Sequence, residues 1–136
     1  MTECIFCKII KKEIQTTKIY EDERTFAFLD ISPVNYGHAL VIPKVHSENL
    51  LEMKEKDLTA VMKTVQKIAN AIMKGLKADG FNLGMNNYPA AGQLVMHSHI
   101  HVMPRLKNDG LRLNWPNKKY ANGMDKDVAE TIIKHL

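Results

Sequence analysis

The sequence predicts an α+β fold: an antiparallel five-stranded sheet with one long helix and shorter helices toward the two ends. Three observations carry this. β-rich runs come in hairpin-spaced pairs, one long stretch repeats its apolar residues every three or four positions, and that stretch lies between the third and fourth strands. At 136 residues the chain is one domain's worth, able to bury roughly two-thirds of its unfolded surface without staples. Residues 1–136 are therefore expected to form a single domain. An apolar share of 45% and a charged share of 25% match folded soluble chains and exclude disorder.

Thr2 to Glu13 predicts a short helix, because Ile5, Phe6, Ile9 and Ile10 fall on one side. Lys18 to Glu21 and Thr25 to Asp30 are β-rich runs split by Asp22, Glu23 and Arg24, which reads as a hairpin. Ser32-Pro33-Val34-Asn35-Tyr36-Gly37 carries turn residues. His38 to Pro43 then reads as a third strand, stopped by a proline that has no N–H for a ladder. From Leu58 to Leu76 the apolar residues Val61, Met62, Val65, Ile68, Ala69, Ile72 and Met73 keep helical spacing, and Gly75 and Gly80 lie where the helix should end. Phe81 to Asn87 and Val95 to Met103 supply two more strands around the loop Tyr88–Gln93, and a last helix is expected from Asp125 to His135. The helices are expected on one face of the sheet. The sequence has no internal repeat, low-complexity tract or interdomain linker.

Nineteen basic residues against 15 acidic ones give a net charge of +4, with the lysines spread rather than blocked. That distribution gives nucleic acid little to grip, so no nucleic-acid partner is expected. It is compatible with a small polyanion without arguing for one. No apolar run approaches the roughly 20 residues of a membrane helix. In MTECIFCKIIKK the lysines follow a short apolar patch, contrary to the order of a secretory signal. The expectation is a cytoplasmic chain with no membrane partner, where Cys4 and Cys7 stay reduced and point to metal or redox chemistry rather than a structural bridge.

His97-Ser98-His99-Ile100-His101 holds three of the six histidines. Spaced by two on an expected strand, their rings project from one face. A lone strand histidine is ordinarily a hydrogen-bonded structural residue. Three in register each need a partner if buried, which turns the reading toward chemistry. One metal does not easily collect all three: at about 3.3 Å per residue the Cα atoms of His97 and His101 lie roughly 13 Å apart, against zinc–nitrogen bonds of about 2 Å. The cluster is better divided, a pair doing one job and the outlier another.

The run His97-Ser98-His99-Ile100-His101-Val102-Met103 resembles the motif of the histidine triad (HIT) hydrolases and transferases. Ser98 departs from it, since an apolar residue is usual there; facing away from the histidines, it is expected to affect packing more than chemistry. The resemblance covers nearly the whole chain, including Ile5-Phe6-Cys7-Lys8-Ile9-Ile10, Ala27-Phe28-Leu29-Asp30-Ile31-Ser32-Pro33, Gly37-His38-Ala39-Leu40-Val41-Ile42-Pro43-Lys44 and Ala91-Gly92-Gln93. It is nearest the bacterial, phosphoramidase-like branch. It implies that His99 is the nucleophile, attacking an α-phosphorus to leave a nucleotidyl-histidine that water hydrolyses. It also implies that His101 contacts the phosphate and assists proton traffic, with His38 as the fourth histidine of the site. Gly92 and Gln93 fall on the loop whose backbone amides approach phosphate oxygens. Leu94 stands where Ser or Thr is frequent, which removes one hydroxyl contact. Asn86 matches a polar residue of the neighbouring strand, and Asp30 matches the acid that holds the ribose hydroxyls. Phe6, Ile9, Phe28, Ile31 and Leu40 match the base pocket, although each reads equally well as core.

Cys4-x-x-Cys7 alone fits a redox pair, half a metal site or neither. A thioredoxin-like reading needs a preceding strand and a βαβ context that this pair lacks. Zinc is favoured, and the resemblance supplies the other two ligands, His46 and His97, for a closed structural site that pins the N-terminal helix to the sheet. No organic cofactor is expected. The resemblance further implies a homodimer whose subunits join their sheets. Its implied substrate is a purine nucleoside monophosphate conjugate, an adenosine one first. Hydrolysis of dinucleoside polyphosphates, nucleotidyl transfer to another acceptor, and a non-catalytic nucleotide sensor or interaction module use the same residues and stay open.

Overall fold

Five strands, β1 (Lys18–Glu21), β2 (Thr25–Leu29), β3 (Ala39–Pro43), β4 (Gly80–Gly84) and β5 (Ile100–Arg105), form one antiparallel sheet in the order β1-β2-β3-β5-β4. The helices are α1 (Ile5–Ile10), α2 (Glu55–Gly75) and α3 (Met124–Ile133). The computed structural model describes residues 3–112 and 115–136; Thr2, where the sequence places the start of the first helix, lies outside them. No helix among the described residues is long and apolar enough to cross a membrane.

Strand alternation sorts the core into two layers. Ala27, Ala39, Val41, Ile100 and Val102 point toward Val61, Val65, Ile68, Ala69 and Ile72 of α2. On the other face Phe26, Phe28, Leu40 and Ile42 meet Phe6 and Ile9 of α1. The helices therefore do not share one face, contrary to the expectation from the order of elements. A sheet covered on both sides needs apolar residues at successive positions, which is why β2 and β3 read as continuous apolar runs.

Helix α1 shrinks to a turn and a half. Cys4 is its N-cap, its sulfur accepting the Cys7 N–H at 3.4 Å, and Lys12 ends it at φ +64°. Helix α2 starts three residues before its first apolar residue. Glu55 and Asp57 in its first turn face the positive end of the helix dipole, and the buried Asp57 carboxylate accepts Arg24 Nη1 at 3.2 Å.

Strands β4 and β5 are shorter than expected, ending at Gly84 and beginning at Ile100. Pairing with β3 runs out at Val41↔Ile100, and shortly before it the Ser98 N–H donates to the Ser47 carbonyl at 2.7 Å instead. Residues 93–99 thus leave the ladder to follow the loop after β3. The turn before β3 needs its glycine: Gly37 sits at φ +95°, and a Cβ there would run into Leu76. That turn is pinned through Asn35, whose amide donates to Asp109 (3.0 Å) and the Pro104 carbonyl (2.9 Å), while Arg105 grips Asp109 at 2.7 and 3.0 Å. Helix α3 begins one residue before the expected Asp125, ends at Ile133 and buries none of its residues.

Candidate active site and metal centre

His97 and His99 precede β5, yet the alternation expected of a strand persists. Phe6 of α1 lies edge-on to both rings, 5.9 Å from His97 and 5.2 Å from His99, and His99 is 5.1 Å from His101. All three rings face the α1 side. His101 is within the ladder, opposite Leu40 on β3 and Gly84 on β4.

Their partners fix where the protons sit. The His99 Nδ1–H donates to the His97 carbonyl at 2.7 Å, so a neutral His99 carries its lone pair on Nε2. His38 Nδ1 accepts the Val34 N–H at 3.1 Å; its proton is therefore on Nε2, which donates to His101 Nδ1 at 2.9 Å. His101 is left with an N–H at Nε2. Asp30 Oδ2 lies beside this dyad, 3.5 Å from His38 Nε2 and 3.9 Å from His101 Nδ1, and Oδ1 accepts the Ser32 N–H at 2.8 Å. Burial pushes His38 below its ordinary value, against the pull of Asp30. Burial, followed by the neighbouring His99 and His38, pushes His101 down to about 4.

His99 and His101 border a cavity of about 530 Å³, within the usual size for a small-molecule site, while His38 is buried behind His101 and does not line it. Of the residues expected at a substrate site, Phe6, Ile9, Phe28, Asp30, Ile31, Leu40, Asn86 and Gly92 line it with His99 and His101. Ile31 is 95% exposed, so it is no core residue. Gln93 is not in the wall. It is buried behind it, its amide donating to the Glu48 and Val95 carbonyls and accepting the Tyr88 N–H at 2.7 Å, while its own N–H goes to the Tyr88 carbonyl. Gln93 thus shapes the loop, and Gly92, at φ +91° against Asn86, gives its own N–H to the Pro89 carbonyl at 2.9 Å, so the expected phosphate contact finds neither amide free. Sequence reasoning missed Ile5, Ile14, Gln15, Thr16, Ser32 and Val95 as lining residues. Ile5 carried a signal, since it lies beside Phe6 in the apolar pattern of α1; the loop residues Gln15 and Thr16 carried none.

The outlying histidine joins the cysteines. Ligand atoms of Cys4, Cys7, His46 and His97 all lie within 4.8 Å of one another. His97 Nε2–H donates to the Pro43 carbonyl at 2.8 Å, which turns its Nδ1 lone pair toward the sulfurs, 3.3 Å from Cys4 and 3.6 Å from Cys7. His46 Nδ1 is 3.2 Å from His97 Nδ1 and 3.4 Å from Cys7 Sγ. Tetrahedral zinc with bonds of about 2.0–2.1 Å to nitrogen and 2.3 Å to sulfur has edges of roughly 3.4 Å (N–N) and 3.6 Å (N–S). The four side chains therefore fit the ion. Burial and the Cys4 sulfur push the Cys7 thiol up, so paired thiolates here need a cation. Ser98 supports the centre from behind. Its buried hydroxyl accepts the Ser47 hydroxyl at 3.0 Å and donates to the Ser47 carbonyl at 3.1 Å, which ties His97 to the loop carrying His46.

The HIT domain model matches residues 11–108, and the chain belongs to that family. An adenosine 5'-monophosphoramidase of Saccharomyces cerevisiae is 43% identical over 134 residues, covering 98% of this chain and 80% of its own. The crystal structure of a HIT family protein from Bacillus anthracis superposes with a TM-score of 0.90 at 43% identity, covering 99% of this chain and 98% of that one. A zinc-bound histidine triad protein of Mycobacterium smegmatis has a TM-score of 0.78 at 34% identity, with 98% of each chain covered.

Proposed function

We propose that the chain is a nucleotide-binding hydrolase that cleaves purine nucleoside monophosphate conjugates, adenosine phosphoramidates and related esters first, through a covalent nucleotidyl-histidine on His99. One observation carries the reading: the hydrogen-bond chain leaves a lone pair on His99 Nε2 and an N–H on His101 Nε2, with the two rings 5.1 Å apart at one cavity. Phe6, Ile9, Phe28, Ile31 and Leu40 enclose the base, Asp30 takes the ribose hydroxyls, and His101 Nε2–H holds a phosphate oxygen. His99 Nε2 attacks phosphorus, the leaving group departs with the bonding electron pair and a proton drawn from solvent, and water then releases the nucleotide. Similarity to a monophosphoramidase agrees with this. A nucleotide sensor needs the pocket but not the proton chain. A dinucleoside polyphosphate is disfavoured because no lining residue is Lys or Arg and the one acidic side chain is Asp30. Each like-charge pair at 4 Å costs about 1 kcal/mol even in water.

Cys4, Cys7, His46 and His97 would hold zinc, which supplies structure: a closed set of four ligands leaves no position for a catalytic water. A homodimer through the sheet edge is supported by β4. It is one of the sheet's two edge strands, and Phe81 and Leu83 on it are 42% and 45% exposed beside an apolar groove of about 790 Å³ against α2.

The deciding experiment is His99→Ala. Turnover of adenosine 5'-phosphoramidate should vanish while nucleotide binding survives, since base, ribose and phosphate contacts come from other residues. Acid quench and intact mass should find one adenylyl adduct on wild type and none on the variant. A His99→Ala enzyme within about tenfold of wild type would sink the mechanism.

A further inference from the structure

Leu94 differs from its neighbours on the loop that leads into His99. Gly92 sits in a left-handed turn against Asn86, Gln93 is buried by its amide bonds, and Val95 packs on the α1-side core. Between these anchors Leu94 is held in the cavity wall, yet it is 92% exposed. An apolar side chain fixed in that way offers its surface to what enters the cavity. Phe6, Ile9, Phe28, Leu40 and the exposed Ile31 are assigned to the base, and Leu94, on the segment that leads into the reacting His99, is the exposed apolar lining residue nearest in the chain to that histidine.

Resting on the hydrolase reading above, we propose that Leu94 selects the leaving group. The preferred substrates are adenosine phosphoramidates whose amine carries an uncharged apolar chain that packs on Leu94; amines carrying a carboxylate are disfavoured. The cavity wall agrees, because it offers no cation to an acidic leaving group and places the Asp30 carboxylate there instead. In the first step the His99 Nε2–P bond forms as the P–N bond breaks. The amine nitrogen, protonated from solvent before the bond breaks, keeps the electron pair and leaves as the neutral amine; water then cleaves the His99–P bond, giving the nucleoside monophosphate and returning one proton to solvent.

The test compares adenosine 5'-phosphoramidate, its N-butyl derivative and its derivative with β-alanine, the two amines being of similar basicity. Wild type should prefer the butyl compound to the unsubstituted one and this to the β-alanine compound. Leu94→Ser should lower the butyl-to-unsubstituted ratio of kcat/KM about tenfold, the effect of roughly two buried methylene groups. A ratio unchanged within about twofold overturns the assignment. The same ratio is read as affinity by calorimetry in His99→Ala and His99→Ala/Leu94→Ser. Absent turnover with the affinity ratio still dependent on Leu94 would defeat the hydrolase reading and keep the contact; equal affinities with and without Leu94 would remove the contact alone.

Discussion

The hydrogen-bonded pair His38–His101 makes stability depend on pH in a measurable way. The 2.9 Å contact between His38 Nε2 and His101 Nδ1 has room for one proton, and burial, with its histidine neighbours, holds His101 down to about 4. An unfolded histidine titrates near 6.5. Because the folded value is depressed, this contribution is present above pH 6.5 and lost as pH falls, beginning where the unfolded chain takes up the proton and ending near pH 4, where the folded chain does. Linkage puts the loss at about 2 kcal/mol between pH 7.5 and 5, and about 3 kcal/mol by pH 3. Urea denaturation at pH 7.5 and pH 5, with equal added zinc, measures it against His101→Asn, whose amide oxygen can still accept the His38 N–H. Cys4, Cys7, His46 and His97 are the same in both proteins, so the difference isolates the dyad. Wild type should lose about 2 kcal/mol more than His101→Asn over that interval; losses equal within about 0.5 kcal/mol would refute the reasoning.

The purified protein should carry about one zinc per chain, and Cys4→Ala/Cys7→Ala should carry none and melt lower; zinc at full occupancy in the double variant would exclude these ligands. Asp30→Asn, which keeps an oxygen for the Ser32 N–H, should weaken adenosine monophosphate binding about tenfold but its 2'-deoxy form only about two- to threefold, one hydroxyl partner being absent already; equal losses in titration calorimetry would count against a ribose contact. Phe81→Asp should turn a dimer into a monomer in sedimentation velocity, and an unchanged profile would move the interface elsewhere.

What is legible in the sequence is what local periodicity controls. Helix α2 and the shared face of three histidines follow from spacings of 3.6 and 2 residues, and strands β1 to β3 from β-rich runs bounded by charged or turn residues. The ends of β4 and β5 do not, because they depend on where β3 stops offering partners and where Ser47 captures Ser98, contacts between distant residues. The second covered face is readable in principle: Ala39-Leu40-Val41-Ile42 is apolar at every position, whereas a sheet with one wet face alternates. In the site, Gln93 reads as a phosphate contact only until Tyr88, Glu48 and Val95 are seen to take its hydrogen bonds. The proton positions are not legible at all, since they rest on a backbone N–H of Val34 and a carbonyl of His97.

In the proposed reading, His97 lets one motif serve both a metal and a nucleophile. Its ring turns Nδ1 toward Cys4, Cys7 and His46, held by the Nε2–H bond to Pro43. Its carbonyl accepts the proton of His99 Nδ1 and so leaves the lone pair on the far nitrogen. A spacing of two residues is what lets a single peptide segment do both: it keeps the rings on the α1 face while bringing the carbonyl of the first within 2.7 Å of the second. Helix α1 closes the same circuit, since Cys4 and Cys7 reach the metal ligands from the end that places Phe6 against both His97 and His99. A zinc ion held there would, by fixing the Cys4–Cys7 turn, also fix the aromatic wall beside the proposed nucleophile and the carbonyl that sets its tautomer, while touching no reacting atom.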